Sequence, residues 1–346
     1  MFELARTCGS ISKQLLVKFE NQYLANVYCL LYISTFAYTQ PWQAILDEFN
    51  VAYEAGMAAG DIEWSMTSRA HVAALSLFIP RGNATLDNVI QSMKHNIQEL
   101  RTYKHRTVNV CLPILQAALN LAGSASESAE DDPTLLIGEA MDQNQLFVVC
   151  RERHLFMPLR MALICRIWLS CIFERYDEVG DIIDEWKAIQ DKMAMFPAAE
   201  NITEVFYVGL VSITLTQNGR GEYRNLAVEC AGKMKGFAAA GCAWNFDHKV
   251  QLLSAEMQNL EGDVAGAAET YGQAIKSASE HGFRIDQAVA CERAAASFCR
   301  QGSIGFAKPF LQQAQSIYND LGAKRKVKHI GGKLAKLSTE GILCAS

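Results

Sequence analysis

The chain has 346 residues, half of them apolar and 20% charged, with 32 basic against 37 acidic side chains and a formal charge of −5. A chain of this length builds either several cores or a repeat array, and its apolar content excludes disorder as its general state. The acidic balance supplies no global basic field, so no nucleic-acid partner is expected.

The first informative stretch runs from residue 21 to residue 46, which holds no charged side chain. Its centre, YLANVYCLLYISTFAYT, approaches the ~20 residues of a bilayer span. Asn26, Ser34, Thr35 and Thr39 interrupt it and Gln40-Pro41 ends it, as in a buried helix of a helical array. No membrane span is expected. Apolar positions then recur at intervals of three and four, and strand signals are nearly absent. The periodicity predicts helices over 42–56 and 61–79, joined at 57–60, then over 86–103 and 108–122, with Pro113 near the start of the last. Gly82-Asn83 separates the first pair from the second.

Residues 123–133, GSASESAEDDP, form an acidic, Ser-rich loop. Ser124, Ser126 and Ser128 stand beside acids as phosphorylation candidates, although a plain solvated linker has the same composition. A helix over 155–173 follows; its Arg160 and Arg166 make it a poorer membrane candidate than the first stretch. It pairs with one over 176–195. Further helices are expected over 202–216 and 226–240, with turns at Gln217-Asn218-Gly219 and Gly241.

The last four helices, over 245–260, 264–280, 283–300 and 304–321, are the best punctuated. Gly262 suits a C-terminal cap and Asp263 the N-cap of the next helix; Gly282, Gly302 and Gly322 close the others. They carry an internal repeat. Ala255, Gly262, Ala267, Tyr271 and Ala274 recur forty residues later as Ala295, Gly302, Ala307, Leu311 and Ala314. Small residues let antiparallel helices approach, the glycine closes the first helix, and the large residue fills the groove to the next pair. This is tetratricopeptide logic, stretched from its usual period of about 34 residues. Tyr271→Ala should therefore remove a buried aromatic.

The predicted architecture is all-α, a right-handed α-solenoid of tetratricopeptide-like hairpins, fourteen to sixteen helices in about seven pairs. Helical hairpins occupy 1–122 and the acidic loop 123–133. Tetratricopeptide-like hairpins fill 134–322, with the clearest repeats at 245–282 and 283–322. A basic tail occupies 323–346.

Four passages together resemble one family: AYEAGMAAGDIEW (Ala52–Trp64), LLIGEAMDQ (Leu135–Gln143), NFDHKVQLLSAEMQNLEGD (Asn245–Asp263), and the stretch from Tyr271 through AIKSASEHGF to IYNDLGAKRKV (Ile317–Val327). The chain over roughly 30–330 looks like the helical-repeat region that follows the STAND-type ATPase module in large serine/threonine–histidine sensor kinases. The resemblance implies a tetratricopeptide-like superhelix and no catalytic residue, since the family's catalysis lies outside this region. Two departures stand out. Leu321 replaces an aromatic before Gly322, and the run Lys324, Arg325, Lys326, Lys328 is unusually basic.

No nucleotide-binding or catalytic signature accompanies these helices. The P-loop, the dinucleotide fingerprint, the kinase H-R-D and D-F-G, H-E-x-x-H and G-x-S-x-G are all missing from the sequence. Eleven cysteines are scattered without Cys-x-x-Cys, which fits a reducing compartment and free buried thiols, Cys291 and Cys299 included. Seven histidines are dispersed. His95 and His105 flank a helix end, and His248 reads as a residue that orients its hairpin by a side-chain hydrogen bond. Glu139 and Asp142, three apart at a helix start, fit the helix dipole better than an acid–base pair. Lys324, Arg325, Lys326 and Lys328 are candidates for a basic surface.

The sequence thus points to a non-enzymatic scaffold for protein–protein interaction, without cofactor or metal, in the cytoplasm or secondarily the nucleus. By resemblance it would be the relay or sensor module of an ATPase-linked signalling kinase, or a stand-alone relative. The alternative is a fragment of a multi-domain signalling enzyme with kinase or cyclase output. Stacked hairpins would leave a long concave face for a partner.

Overall fold

The computed structural model describes residues 2–20, 23–79, 84–123, 132–193, 199–239 and 241–343. Among these residues the secondary structure is helical throughout, apart from one isolated antiparallel bridge between Ile137 and Asp142. Residues 124–131 of the acidic loop, with Ser124, Ser126 and Ser128, lie outside the described residues, as do Gly82 and Asn83.

The first helices are α1 (Phe2–Lys18), α2 (Leu24–Leu30) and α3 (Phe36–Thr39), the last two joined by a π-helical turn at Leu31–Thr35. Then come α4 (Trp42–Ala59), α5 (Ile62–Ser76), α6 (Leu86–Thr102), α7 (Val108–Ala122), α8 (Gln143–Glu152) and α9 (Phe156–Phe173). The remainder are α10 (Val179–Gln190), α11 (Ala199–Gln217), α12 (Arg224–Ala238), α13 (Ala243–Glu261), α14 (Val264–Glu280), α15 (Arg284–Arg300), α16 (Ile304–Leu321) and α17 (Lys324–Leu343). Sequential helices pack as antiparallel neighbours: α4 on α5, α6 on α7, α9 on α10, α11 on α12, α13 on α14, α15 on α16. The fold is all-α and solenoid-like.

Local chemistry explains the punctuation. Gly262 ends α13 with φ +87°, in the left-handed region that favours glycine. Asp263 then accepts a hydrogen bond from the Gly266 amide, capping α14. Gly302 and Gly322 repeat the positive φ at 70° and 79°. Gly56 serves a different purpose. A Cβ there would lie 2.2 Å from Ser65 Oγ and 2.9 Å from Ala25 Cβ, so only glycine lets α2, α4 and α5 approach this closely.

Ala255, Ala267, Tyr271, Ala274, Ala295, Ala307, Leu311 and Ala314 are all buried at the joints of α13–α14 and α15–α16.

The array is not an open solenoid. Its first hairpin docks on its C-terminal half: the Trp42 amide donates to Asn245 Oδ1 at 3.0 Å, and Asn245 Nδ2 donates to the Gln40 carbonyl at 2.7 Å. Trp42 meets Phe283 edge-on at 6.1 Å, and Gln43 Nε2 donates to the His281 carbonyl at 3.0 Å. At the other end, α17 returns to pack on α7 and α9 as well as on α16.

Residues 324–343 also depart from the expected basic tail, because they form a helix. Lys326, predicted at a basic surface, is buried. Its ammonium donates to the Ile172 carbonyl and pairs with Glu292 at 2.6 Å. Lys324 and Lys328 are exposed and Arg325 is half-buried. Further along, Lys333 bonds both oxygens of Glu174 at 2.7 and 2.8 Å. Burial raises the Glu174 carboxyl, but Lys333 and Lys326 outweigh it and hold the group down at about 2.

Among the described residues α9 is long and apolar enough to cross a membrane, and 78% of it is buried against the rest of the chain. The apolar run Leu24–Thr39 is shorter, and its Tyr32, Ile33, Phe36, Ala37 and Tyr38 lie in the core.

Candidate functional site

The polar groups singled out in sequence do not converge. His95 is largely exposed and lies 3.9 Å from Glu99, one helical turn away. His105 is buried after α6, with Thr107 Oγ1 at 2.7 Å and Glu63 at 3.2 Å. Asp142 caps α8 through the Asn144 amide, and Glu139 pairs with Lys94 at 2.6 Å. Cys291 is buried and Cys299 half-buried, and neither is in a disulfide. Cys344 lies outside the described residues. No group of three metal-ligating side chains occurs among the described residues.

The His248 side chain bonds between hairpins rather than within its own, as part of a larger cluster. Its Nε2 lies 2.9 Å from Asp286 Oδ2, joining α13 to α15. Asp286 also accepts from the Tyr207 hydroxyl at 2.6 Å and from the neighbouring Lys249 ammonium. Burial, then the Lys249 charge, hold the His248 imidazole down at about 4.

A site that sequence reasoning missed lies between the N-terminal hairpins and α9–α11. It is a cavity of about 580 Å³. Protein interiors rarely leave voids much larger than a water molecule, and small-molecule sites span ~300–1,000 Å³. Its walls are largely apolar and adaptable: Ile33, Trp64, Phe156, Met157, Met161 and Met193 contribute. Ile33 belongs to the π-helical turn, a distortion enriched at functional sites.

A few charged groups interrupt this wall. His71 on α5 brings Nδ1 to 3.1 Å from Glu200 Oε1 on α11, while its ring stacks on Phe49 at 5.3 Å. Burial opposes protonation of His71, but the Cys29 thiol and the Glu200 carboxylate beside it prevail and raise it to about 10. Burial likewise opposes ionisation of Glu200, and His71 overcomes it, so this carboxyl lies below its ordinary range. The cavity thus presents an imidazolium–carboxylate pair at neutral pH. One turn on, Glu204 accepts from Arg160 Nη2 at 2.7 Å, from Gln190 Nε2 at 3.0 Å and from Trp186 Nε1 at 3.3 Å. Burial pushes Glu204 above the usual carboxylate range despite Arg160. Arg106 also lines the cavity; its side chain is 87% exposed, 3.5 Å from Glu63.

Two of these histidines give stability a pH optimum. His248 is held below its ordinary 6.5, so the folded state binds fewer protons than the unfolded state as pH falls from 6.5 towards 4. Its contribution is complete above 6.5 and is lost on acidification, by about 3 kcal/mol across that window at ~1.4 kcal/mol per pH unit. His71 is raised, so its contribution is complete below 6.5 and is lost as pH rises towards 10. Urea unfolding across pH 4–9 should show maximal stability near neutrality. His71→Phe should flatten the limb between 6.5 and 9, and an unchanged limb would refute the assignment.

No protein-family model matches the sequence, and no curated protein matches it.

Proposed function

We propose that this chain is a non-catalytic helical-repeat scaffold for protein–protein interaction, acting in the cytoplasm as a relay or sensor module. The observation that carries the reading is on α1. Leu4, Ile11 and Leu15 are 69%, 49% and 46% exposed, and the exposed Cys8 falls between them. The spacing 4, 8, 11, 15 places all four on one face, the pattern by which one helix seats against another. The opposite face is engaged: Leu16 is buried and Lys13 donates to the Tyr32 hydroxyl at 2.7 Å. Phe19, just past the end of α1, is also exposed, at 58%. Contiguous apolar patches of this kind mark interaction sites.

The resemblance in four sequence passages supports a place in ATPase-linked signalling, either as one module of a sensor kinase or as a stand-alone relative. The partner is then a polypeptide that covers α1 with an apolar groove of its own. Replacing Leu4, Ile11 and Leu15 together by glutamine tests this. Proteins that co-purify stoichiometrically with the wild-type chain should be lost from the variant, while its helical circular dichroism persists. An unchanged set of co-purifying proteins would overturn the reading.

A further inference from the structure

We infer that the cavity between α5, α7, α9 and α11 binds a small amphipathic monocarboxylate, its apolar body inside and its carboxylate at Arg106. This goes beyond the scaffold reading and does not depend on it.

The volume, about 580 Å³, admits a medium-sized organic molecule. The walls define its body. Trp64 and Phe156 offer flat apolar surface, and Met157, Met161 and Met193 offer side chains that adjust to a flexible chain. The electrostatics define where its charge goes. Glu200 and Glu204 stand within the cavity, so a carboxylate placed deep would meet like charge. His71 and Arg160 stand there too, already engaged by those glutamates, so a deep ammonium group would fare no better. A charge carried by the ligand therefore stays outside the interior, where desolvation costs least. Two basic lining residues reach solvent, Arg106 and His154, and of these the Arg106 guanidinium is the permanent cation and suits a carboxylate. Its Glu63 contact is between exposed groups and yields readily.

The cavity also has the right position for a sensory site. Its lining comes from α2 and the π-helical turn, from α5 and α7, and from α9 and α11. A ligand there contacts both the N-terminal hairpins and the hairpins that follow the acidic loop, and would favour whichever arrangement of them it binds more tightly.

The probes are straight-chain carboxylates of increasing length and the matching alcohols, titrated into the full chain by calorimetry, with the change in intrinsic tryptophan fluorescence that Trp64→Phe should remove as a second signal. Affinity should rise about fourfold per added methylene until the cavity is full, then stop rising. Decanoate should bind at least about tenfold tighter than decanol. Arg106→Glu should weaken decanoate by about tenfold or more and leave decanol unchanged. Ala74→Phe, which fills the cavity from α5, should abolish binding of both. If that variant does not fold, Arg106→Glu decides alone, because its side chain lies at the surface. No binding by any chain length at about 1 mM, a useful floor for such ligands, overturns the inference. So does equal affinity for decanol and decanoate, or indifference to Arg106→Glu.

Discussion

Replacing Asp286 by alanine should lower the free energy of unfolding by about 3–5 kcal/mol, the cost of breaking a buried ion pair from one side. Asp286 on α15 is the common acceptor for Tyr207, His248 and Lys249, which come from α11 and α13. Lys249 is only 3% exposed, and its ammonium sits 4.8 Å from the Phe206 and Phe283 ring centres and 5.7 Å from that of Trp42. Those rings favour a cation but accept no proton, so removing the carboxylate leaves a buried charge with aromatic contacts and His248 Nε2, 3.0 Å away, but no counter-ion. The same cluster borders the Trp42–Asn245 contact that joins the two halves of the array. Its loss should therefore appear as lower global stability, seen in the urea midpoint. Adding Lys249→Met should restore much of the deficit, because the uncompensated charge goes with it. A single variant within about 1 kcal/mol of wild type would show that the cluster is not what holds these helices together, since small surface effects alone are that size.

The second large effect is expected at Tyr271. Truncation to alanine should cost about 3–5 kcal/mol, as for other buried aromatics. Its ring fills the joint between α13 and α14 at 1% exposure, and its hydroxyl donates to Glu256 Oε1 at 2.8 Å. Glu256 in turn pairs with Arg293 of α15 at 3.2 Å, so the repeat's large residue is wired into the next hairpin. Tyr271→Phe should separate packing from hydrogen bonding. It should cost about 1.5–3 kcal/mol, the range for a bond to a charged group. Leu311 occupies the equivalent place forty residues on, where packing alone is available. An unchanged unfolding midpoint for Tyr271→Ala would contradict the repeat assignment at this joint.

These residues also show what the sequence made legible. The helices over 108–122, 264–280 and 304–321 are observed as α7, α14 and α16 with those bounds, because glycines, a capping aspartate and steady periodicity all agree there. The prediction over 176–195 was too long. α10 covers Val179–Gln190, while Met195 falls outside the described residues. In sequence, residues 323–346 read as a basic tail because Lys324, Arg325, Lys326 and Lys328 crowd its start. What that reading lacked was Glu292, which neutralises Lys326 from 34 positions away and allows its burial. The cavity was illegible for the same reason. Cys29, His71, Arg160 and Glu200 meet only through the fold. One local signal did exist: Arg160 interrupts an apolar helix, as do Glu200 and Glu204 at the start of another. Isolated charges on buried helices need partners: Arg160 finds Glu204, and Glu200 finds His71.

The most direct test of the scaffold account is the native size of the endogenous protein in fresh lysate, followed by gel filtration and immunoblotting. The chain has a mass of 38.3 kDa. The account predicts that it elutes in an assembly well above that mass, and that a version carrying glutamine at Leu4, Ile11 and Leu15 leaves the assembly while staying folded. Elution of the wild-type polypeptide as a free 38.3 kDa monomer, indistinguishable from the variant, would contradict it.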